Sequence, residues 1–187
     1  MKLTLWNFKI TGVFPLLTHN PASMKAGQIG AKQKKIPTPE DEARAGIYFD
    51  GDGNCCLRAD SFRSAILNGV KGLKIGRSSA ASVLQSAIFP PTTDLTPILH
   101  PDSGEPFREG EYEIDSRRAV VQRQGIVRSR PKFTRWACVA SLLIDEEAVK
   151  PEAVEEFLNI AGQKAGVGDY RIERRGPFGG FTASLIR

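Results

Sequence analysis

The order of periodic segments along this chain (strand, helix, strand, strand, helix, strand) predicts an α+β domain built on an antiparallel sheet. Three observations carry that prediction. Apolar and polar residues alternate over residues 3–13 and again over 181–186, the two-residue period of half-buried strands. Apolar residues recur at helical spacing in two places: Phe62, Ile66 and Val70, then Val154, Phe157, Leu158, Ala161 and Ala165. Between these helices, 119–127 and 136–144 are rich in Val, Ile, Leu and Trp, as strands are.

The first strand ends at Pro15, and 22–42, rich in Lys, Gly, Gln and Pro, has no apolar period, so it reads as a long basic loop. Residues 46–57 read as a hairpin, with Asp50-Gly51-Asp52-Gly53 supplying the positive φ angles of a tight turn. Asp50, Asp52 and Asn54 imitate the start of a calcium loop. The glycine is misplaced and no Glu stands at position twelve, so calcium is not expected. Asp60 or Ser61 can cap the first helix. A basic, glycine-containing segment with Lys71, Lys74 and Arg77 ends it.

A second short helix is expected over 78–89, stopped by Pro90-Pro91, and 92–111 reads as a surface excursion. The two strands that follow are expected to flank a basic turn at 128–135. Pro151 starts the last helix and Gly166 can end it. The chain, 1–187, thus reads as one domain with insertions at about 18–45 and about 74–115. The element order is that of the ferredoxin-like (RRM-like) βαββαβ arrangement, which leaves one sheet face free of helices.

The hydrophobic fraction of 41% and charged fraction of 25% are ordinary for a globular chain. No apolar run reaches bilayer length and no leader pattern opens the chain, so a soluble cytoplasmic protein is expected, without a membrane partner. Cys55, Cys56 and Cys138 are odd in number and two are adjacent, which suits structural thiols in a reducing compartment. With only His19 and His100 as histidines, no zinc cluster forms at short spacing, and no cofactor is expected.

The net charge of +5 is unevenly spread. Between Ser116 and Arg135 lie Arg117, Arg118, Arg123, Arg128, Arg130, Lys132 and Arg135 with no acid among them. Lys25, Lys32, Lys34 and Lys35 form a second basic run, while 102–115 and 146–156 are acidic. A basic stripe of this kind is the electrostatic footprint of a polyanion site, most often nucleic acid. The terminal stretch 166–181 interleaves glycines with Tyr170, Arg171, Arg174, Arg175 and Phe178. Such residues can hold phosphates, let the backbone approach an anion and stack on bases. Phe181 is a further stacking candidate.

Three segments together resemble the repeat-associated RAMP superfamily. Ile10-Thr-Gly-Val-Phe-Pro-Leu-Leu-Thr-His-Asn20 is similar to its first strand and following loop. Residues 57–67 resemble the opening of its first helix, with Ala59 and Asp60 where the family often has glycine and serine. Residues 166–181 resemble its glycine-rich loop. The nearest likeness is to the guide-RNA-binding backbone subunits of multi-subunit CRISPR effectors, which serve antiviral defence, and to their small solitary phage and prophage relatives.

The resemblance implies a non-catalytic protein that oligomerises along single-stranded RNA with little sequence preference, in a ribonucleoprotein with other effector subunits. It implies contacts from His19 and Asn20, the basic 25–35 loop, Arg63, Lys71, Lys74, the Arg123–Arg135 segment and the terminal loop. Three alternatives stay open at this level: a single-stranded-DNA-binding phage replication or recombination protein, a RAMP-type endoribonuclease acting through His19 or Asp50, and a structural module whose basic face docks on an acidic protein partner. No acid lies between His19 and Glu40 to act as a partner in proton transfer, so cleavage is not expected.

Overall fold

A computed structural model describes residues 2–21, 37–121 and 124–186. Its elements, in chain order, are β1 (Leu3–Gly12), β2 (Leu16–Leu17), α1 (Pro39–Ala45), β3 (Tyr48–Phe49), β4 (Cys55–Arg58) and α2 (Asp60–Gly69). There follow β5 (Lys74–Ile75), β6 (Ser78–Ser79), α3 (Ala80–Ala87), β7 (Ile88–Phe89), β8 (Leu95–Pro97), β9 (Glu113–Val121) and β10 (Gln124–Phe133). The chain closes with β11 (Ala137–Asp145), α4 (Pro151–Lys164), a 3₁₀ turn (Ile172–Arg174) and β12 (Phe181–Leu185). The protein is an α+β molecule with several antiparallel sheets, as its sequence predicts.

The largest sheet has the order β12-β1-β11-β7, with every neighbouring pair antiparallel. Alternation along β1 sends Phe8 and Ile10 to the buried face, with Leu142 and Ile144 of β11 beside them. There they join Phe62 and Ile66 of α2 and Val154 and Leu158 of α4 in one core. Phe62 meets Phe181 edge to face, with ring centroids 5.6 Å apart. The other face carries Leu3, Leu5 and Val139, all exposed.

Two glycines set the helix approach. A Cβ on Gly69 of α2 would lie 2.6 Å from Ala161 Cα, so the α2–α4 crossing is backbone-close. A Cβ on Gly162 would lie 1.9 Å from Phe181 O, so α4 rests directly on β12. The open edge of β12 is closed by a side chain. Asn159 accepts from the Ala183 N–H (2.9 Å) and donates to the Ala183 carbonyl (3.0 Å), as a neighbouring strand would. Asn159→Ala is expected to lower stability by about 1–3 kcal/mol, because both groups lose a partner where the helix shields them from water. An unchanged urea midpoint would rule this out.

The structure corrects six local expectations. The basic segment 128–133 is strand, not turn: β9 and β10 pair from Glu113–Lys132 to Val121–Gln124. Ser129, Pro131 and Phe133 are buried and alternate with Arg128, Arg130 and Lys132, so the period was present but Pro131 and the charges disguised it. This hairpin belongs to a separate sheet, β2-β10-β9, and the expected strand 119–127 is not one strand of the largest sheet but includes the end of β9 and the start of β10. The strand beside β11 on the side away from β1 is β7, made of the last two residues of the expected 78–89 helix, which ends at Ala87.

The 92–111 stretch is more than a surface excursion. β8 pairs with β4, and Ile98 and Phe107 enter the core. Within the expected basic loop, Pro39–Ala45 is helical: Thr38 Oγ1 accepts from the Asp41 N–H (3.1 Å), with Pro39 at the first position and acids in the first turn. Neither Asp60 nor Ser61 caps α2. Ala59 precedes it, with no side-chain cap, and the Asp60 carboxylate is held by Arg58 (2.8 and 3.0 Å). At the 46–57 hairpin, Asp50 accepts from the N–H groups of Asp52 and Asn54 and from the Asn54 side chain, which commits its carboxylate to the turn.

Candidate nucleic-acid interface

A concave pocket of about 280 Å³ forms where four segments separated in the chain converge. Thr18 and His19 come from the segment after β2, Tyr48, Leu57 and Arg58 from the β3–β4 hairpin, Ser61, Ser64 and Asn68 from α2, and Gly166–Asp169 with Arg171 from the glycine–arginine loop. The loop is tied to the fold through its backbone: the Asp169 N–H donates to Leu17 O, Val167 N–H to Gly179 O and Gly179 N–H to Pro15 O. The three segments that carry the RAMP resemblance therefore meet in space.

Five cations of the basic run, Arg117, Arg128, Arg130, Lys132 and Arg135, are paired with acids in the fold. The acids that its own twenty residues lack come from elsewhere in the chain. Arg128 pairs with Glu42 (3.2 Å), Arg130 with Asp169 (2.5 Å), Lys132 with Glu113 (2.6 Å) and Arg135 with Asp102 (2.7 Å). Arg128 and Arg130 are half-buried in these pairs and serve to join α1 and the glycine–arginine loop to the hairpin. The Arg135–Asp102 pair lies in water, where such pairs are worth about 0–1 kcal/mol and open readily. Arg63 donates to the carbonyls of Gln85 and Ile88, satisfying the end of α3, so its guanidinium is structural. Arg171 is held by Glu173 and by Gly168 O.

Two neighbouring cations of the glycine–arginine loop, three and four residues after Arg171, are uncommitted. Arg174 and Arg175 are exposed and have no acidic partner among the described residues, and the same holds for Lys74 and for Arg118 on β9. Lys71 is 3.9 Å from Glu173 and largely in water. Lys25, Lys32, Lys34, Lys35 and Arg123 lie outside the described residues. Asn20 donates its side-chain N–H to Ile47 O.

Aromatic residues sort in the same way. Phe178 is 4% exposed and Arg117 covers its ring at 4.9 Å, while Phe181 is 1% exposed. Neither offers a free stacking face, because both complete the packing around the loop. Tyr170 is 38% exposed with its ring 6.1 Å from Phe178. Sequence reasoning missed Phe14, 47% exposed in the turn after β1, whose ring packs over Gly180 of the same loop. Its signal was positional: an aromatic two residues past the end of a strand, just before a proline.

The loop's glycines answer to the fold rather than to an anion. A Cβ on Gly176 would stand 1.6 Å from Tyr170 O, and one on Gly179, at φ +71°, would stand 1.8 Å from Val167 O. Tyr170 (φ +46°) and Arg175 (φ +61°) are themselves in the left-handed region, a conformation that costs of order 1–3 kcal/mol and concentrates at functional sites.

His19 is neutral at physiological pH. Partial burial, the largest influence, lowers its pKa below the ordinary 6.5, Arg128 and Arg130 lower it further, and Asp169 and Glu42 oppose them. The unfolded chain therefore binds this proton first as pH falls below about 6.5, and the stability present above that value is lost on acidification. His19→Gln is expected to flatten the fall in melting temperature between roughly pH 7 and 5. Parallel curves for the two proteins would contradict it. Burial also pushes the Cys55 and Cys56 thiols up to about 12, so neither is a nucleophile at neutral pH.

Among the described residues no cluster of His, Cys, Asp or Glu is arranged to hold a metal ion, and no helix is long and apolar enough to cross a membrane. No protein-family model matches the chain. No curated protein matches it significantly either.

Proposed function

We propose that this protein binds single-stranded RNA, with little sequence preference along the backbone, as a repeating subunit of a ribonucleoprotein. The observation that carries the reading is the exposed rim of Arg174, Arg175 and Tyr170, with Phe14 beside the same loop and the pocket next to it. Unpaired guanidinium groups recruit phosphates, and exposed rings give every base a stacking face regardless of identity. The strand order β12-β1-β11-β7, with α2 and α4 over its buried face, supports a ferredoxin-like core made of β1, α2, β7, β11, α4 and β12. In that reading the β9–β10 hairpin is an insertion in the place of the RAMP thumb.

The neutral His19, and the engagement of Asp169 and Glu42 with arginines, favour binding without cleavage. Purification without nuclease treatment, followed by the ratio of absorbance at 260 and 280 nm and light scattering, tests the reading. A large species with a nucleic-acid ratio that RNase collapses and DNase does not is the expected result. A species collapsed by DNase alone would assign the site to single-stranded DNA, and a clean protein monomer that binds neither strand would reject the function.

A further inference from the structure

We propose that the pocket between α2 and the glycine–arginine loop takes one nucleobase, turned out of the bound strand, so that each subunit holds a single base. The inference rests on the RNA-binding reading above and adds a base-holding site to it.

Charge decides against a phosphate inside. The ionised groups in the wall are already matched: Arg58 with Asp60, Arg171 with Glu173 just behind it, and Asp169 with Arg130. A phosphate entering there would come up against three carboxylates, Asp60, Glu173 and Asp169, each already matched by an arginine. What remains uncommitted is neutral. The hydroxyls of Tyr48, Ser61 and Ser64 have no hydrogen-bond partner among the described residues, the Asn68 amide donates to Glu173 and keeps its carbonyl oxygen available, and the His19 ring offers one donor and one acceptor. Neutral donors and acceptors in a recess suit the edge of a heterocycle.

Shape agrees. About 280 Å³ lies just below the usual range of ligand sites, about 300 to 1,000 Å³, and so suits one base rather than a dinucleotide. Planar partners line it: the Tyr48 ring, and the Arg171 guanidinium, fixed in orientation by Glu173 and Gly168 O. Stacking on such planes with hydrogen bonds to the base edge is how proteins hold splayed-out RNA bases. The unpaired Arg174 and Arg175 follow Arg171 closely in the chain, so the same strand's phosphates have partners near the opening.

The test compares a single-stranded RNA with an abasic ribose-phosphate strand of equal length, each titrated with wild type and with Ser64→Trp, an exposed helix position at which an indole fills the pocket. Ser64→Trp is expected to weaken binding of the base-bearing strand about tenfold, as for loss of one held base, and to leave the abasic strand's affinity unchanged. Ser61→Trp repeats the measurement if Ser64→Trp does not melt like wild type. Equal binding of the base-bearing strand by wild type and a folded Trp variant overturns the base pocket while leaving RNA binding intact. Failure of wild type to bind either strand overturns the RNA reading itself. Saturation of the pocket by free nucleoside monophosphates with no effect on strand binding assigns it to a free nucleotide and overturns the proposal.

Discussion

Replacing Arg174 and Arg175 together by glutamate is expected to weaken binding of single-stranded RNA by about a hundredfold or more at moderate salt. A hydrogen bond from a charged donor is worth about 1.5–3 kcal/mol, so two lost phosphate contacts cost about 3–6 kcal/mol before any repulsion is counted. Both side chains are exposed and engage no acid among the described residues, so the reversal breaks no ion pair there, and the melting temperature should hold. The same change at Arg130 would be a poor test. That residue is tied to Asp169, and its loss would strand a carboxylate and loosen the glycine–arginine loop. A double variant that binds like wild type would move the interface away from this rim.

Trp136→Ala is expected to cost about 3–5 kcal/mol, a large part of the stability of a domain this size. Trp136 is fully buried just before β11, its indole fills the space beside Gly12, and its Nε1–H donates to Phe14 O at 2.9 Å. Trp136→Phe separates the two contributions by keeping most of the packing and removing the bond, at about 1–3 kcal/mol. Because that bond fixes the turn carrying Phe14, Trp136→Phe should also weaken RNA binding while the protein remains folded. Chemical denaturation beside a binding titration reads both effects. A Trp136→Ala protein as stable as wild type would mean that the packing around Gly12 has been misread.

The elements with several turns or several alternations were legible in the sequence. β1, α2, α4 and β12 all fall where hydrophobic periodicity puts them, since each buries enough apolar side chains to leave a pattern. β7 left no such trace. A two-residue strand has no period, and Ile88–Phe89 forms one only because β11 presents an edge to it. Pro131 and three charges hid β10, whose inward positions are Ser129, Pro131 and Phe133 rather than a run of Val and Ile.

For the site, proximity was legible and availability was not. The segments containing His19, the start of α2 and the glycine–arginine loop do converge. Whether a cation is free depends on acids far away in the chain, and Asp169, Glu42 and Asp102 each neutralise an arginine of a stretch that seemed unopposed. The aromatic question turned likewise on packing, which buries Phe178 and exposes Phe14.

The salt dependence of RNA binding tests the central claim most directly. Titrating a labelled single-stranded RNA between roughly 50 and 200 mM monovalent salt should give a log affinity that falls linearly with log salt, with a slope of about −0.7 per neutralised phosphate. For the Arg174→Glu, Arg175→Glu protein the slope should be shallower by about 1.4. No binding at the lowest salt, or slopes that coincide for the two proteins, would contradict a phosphate-holding rim at this loop.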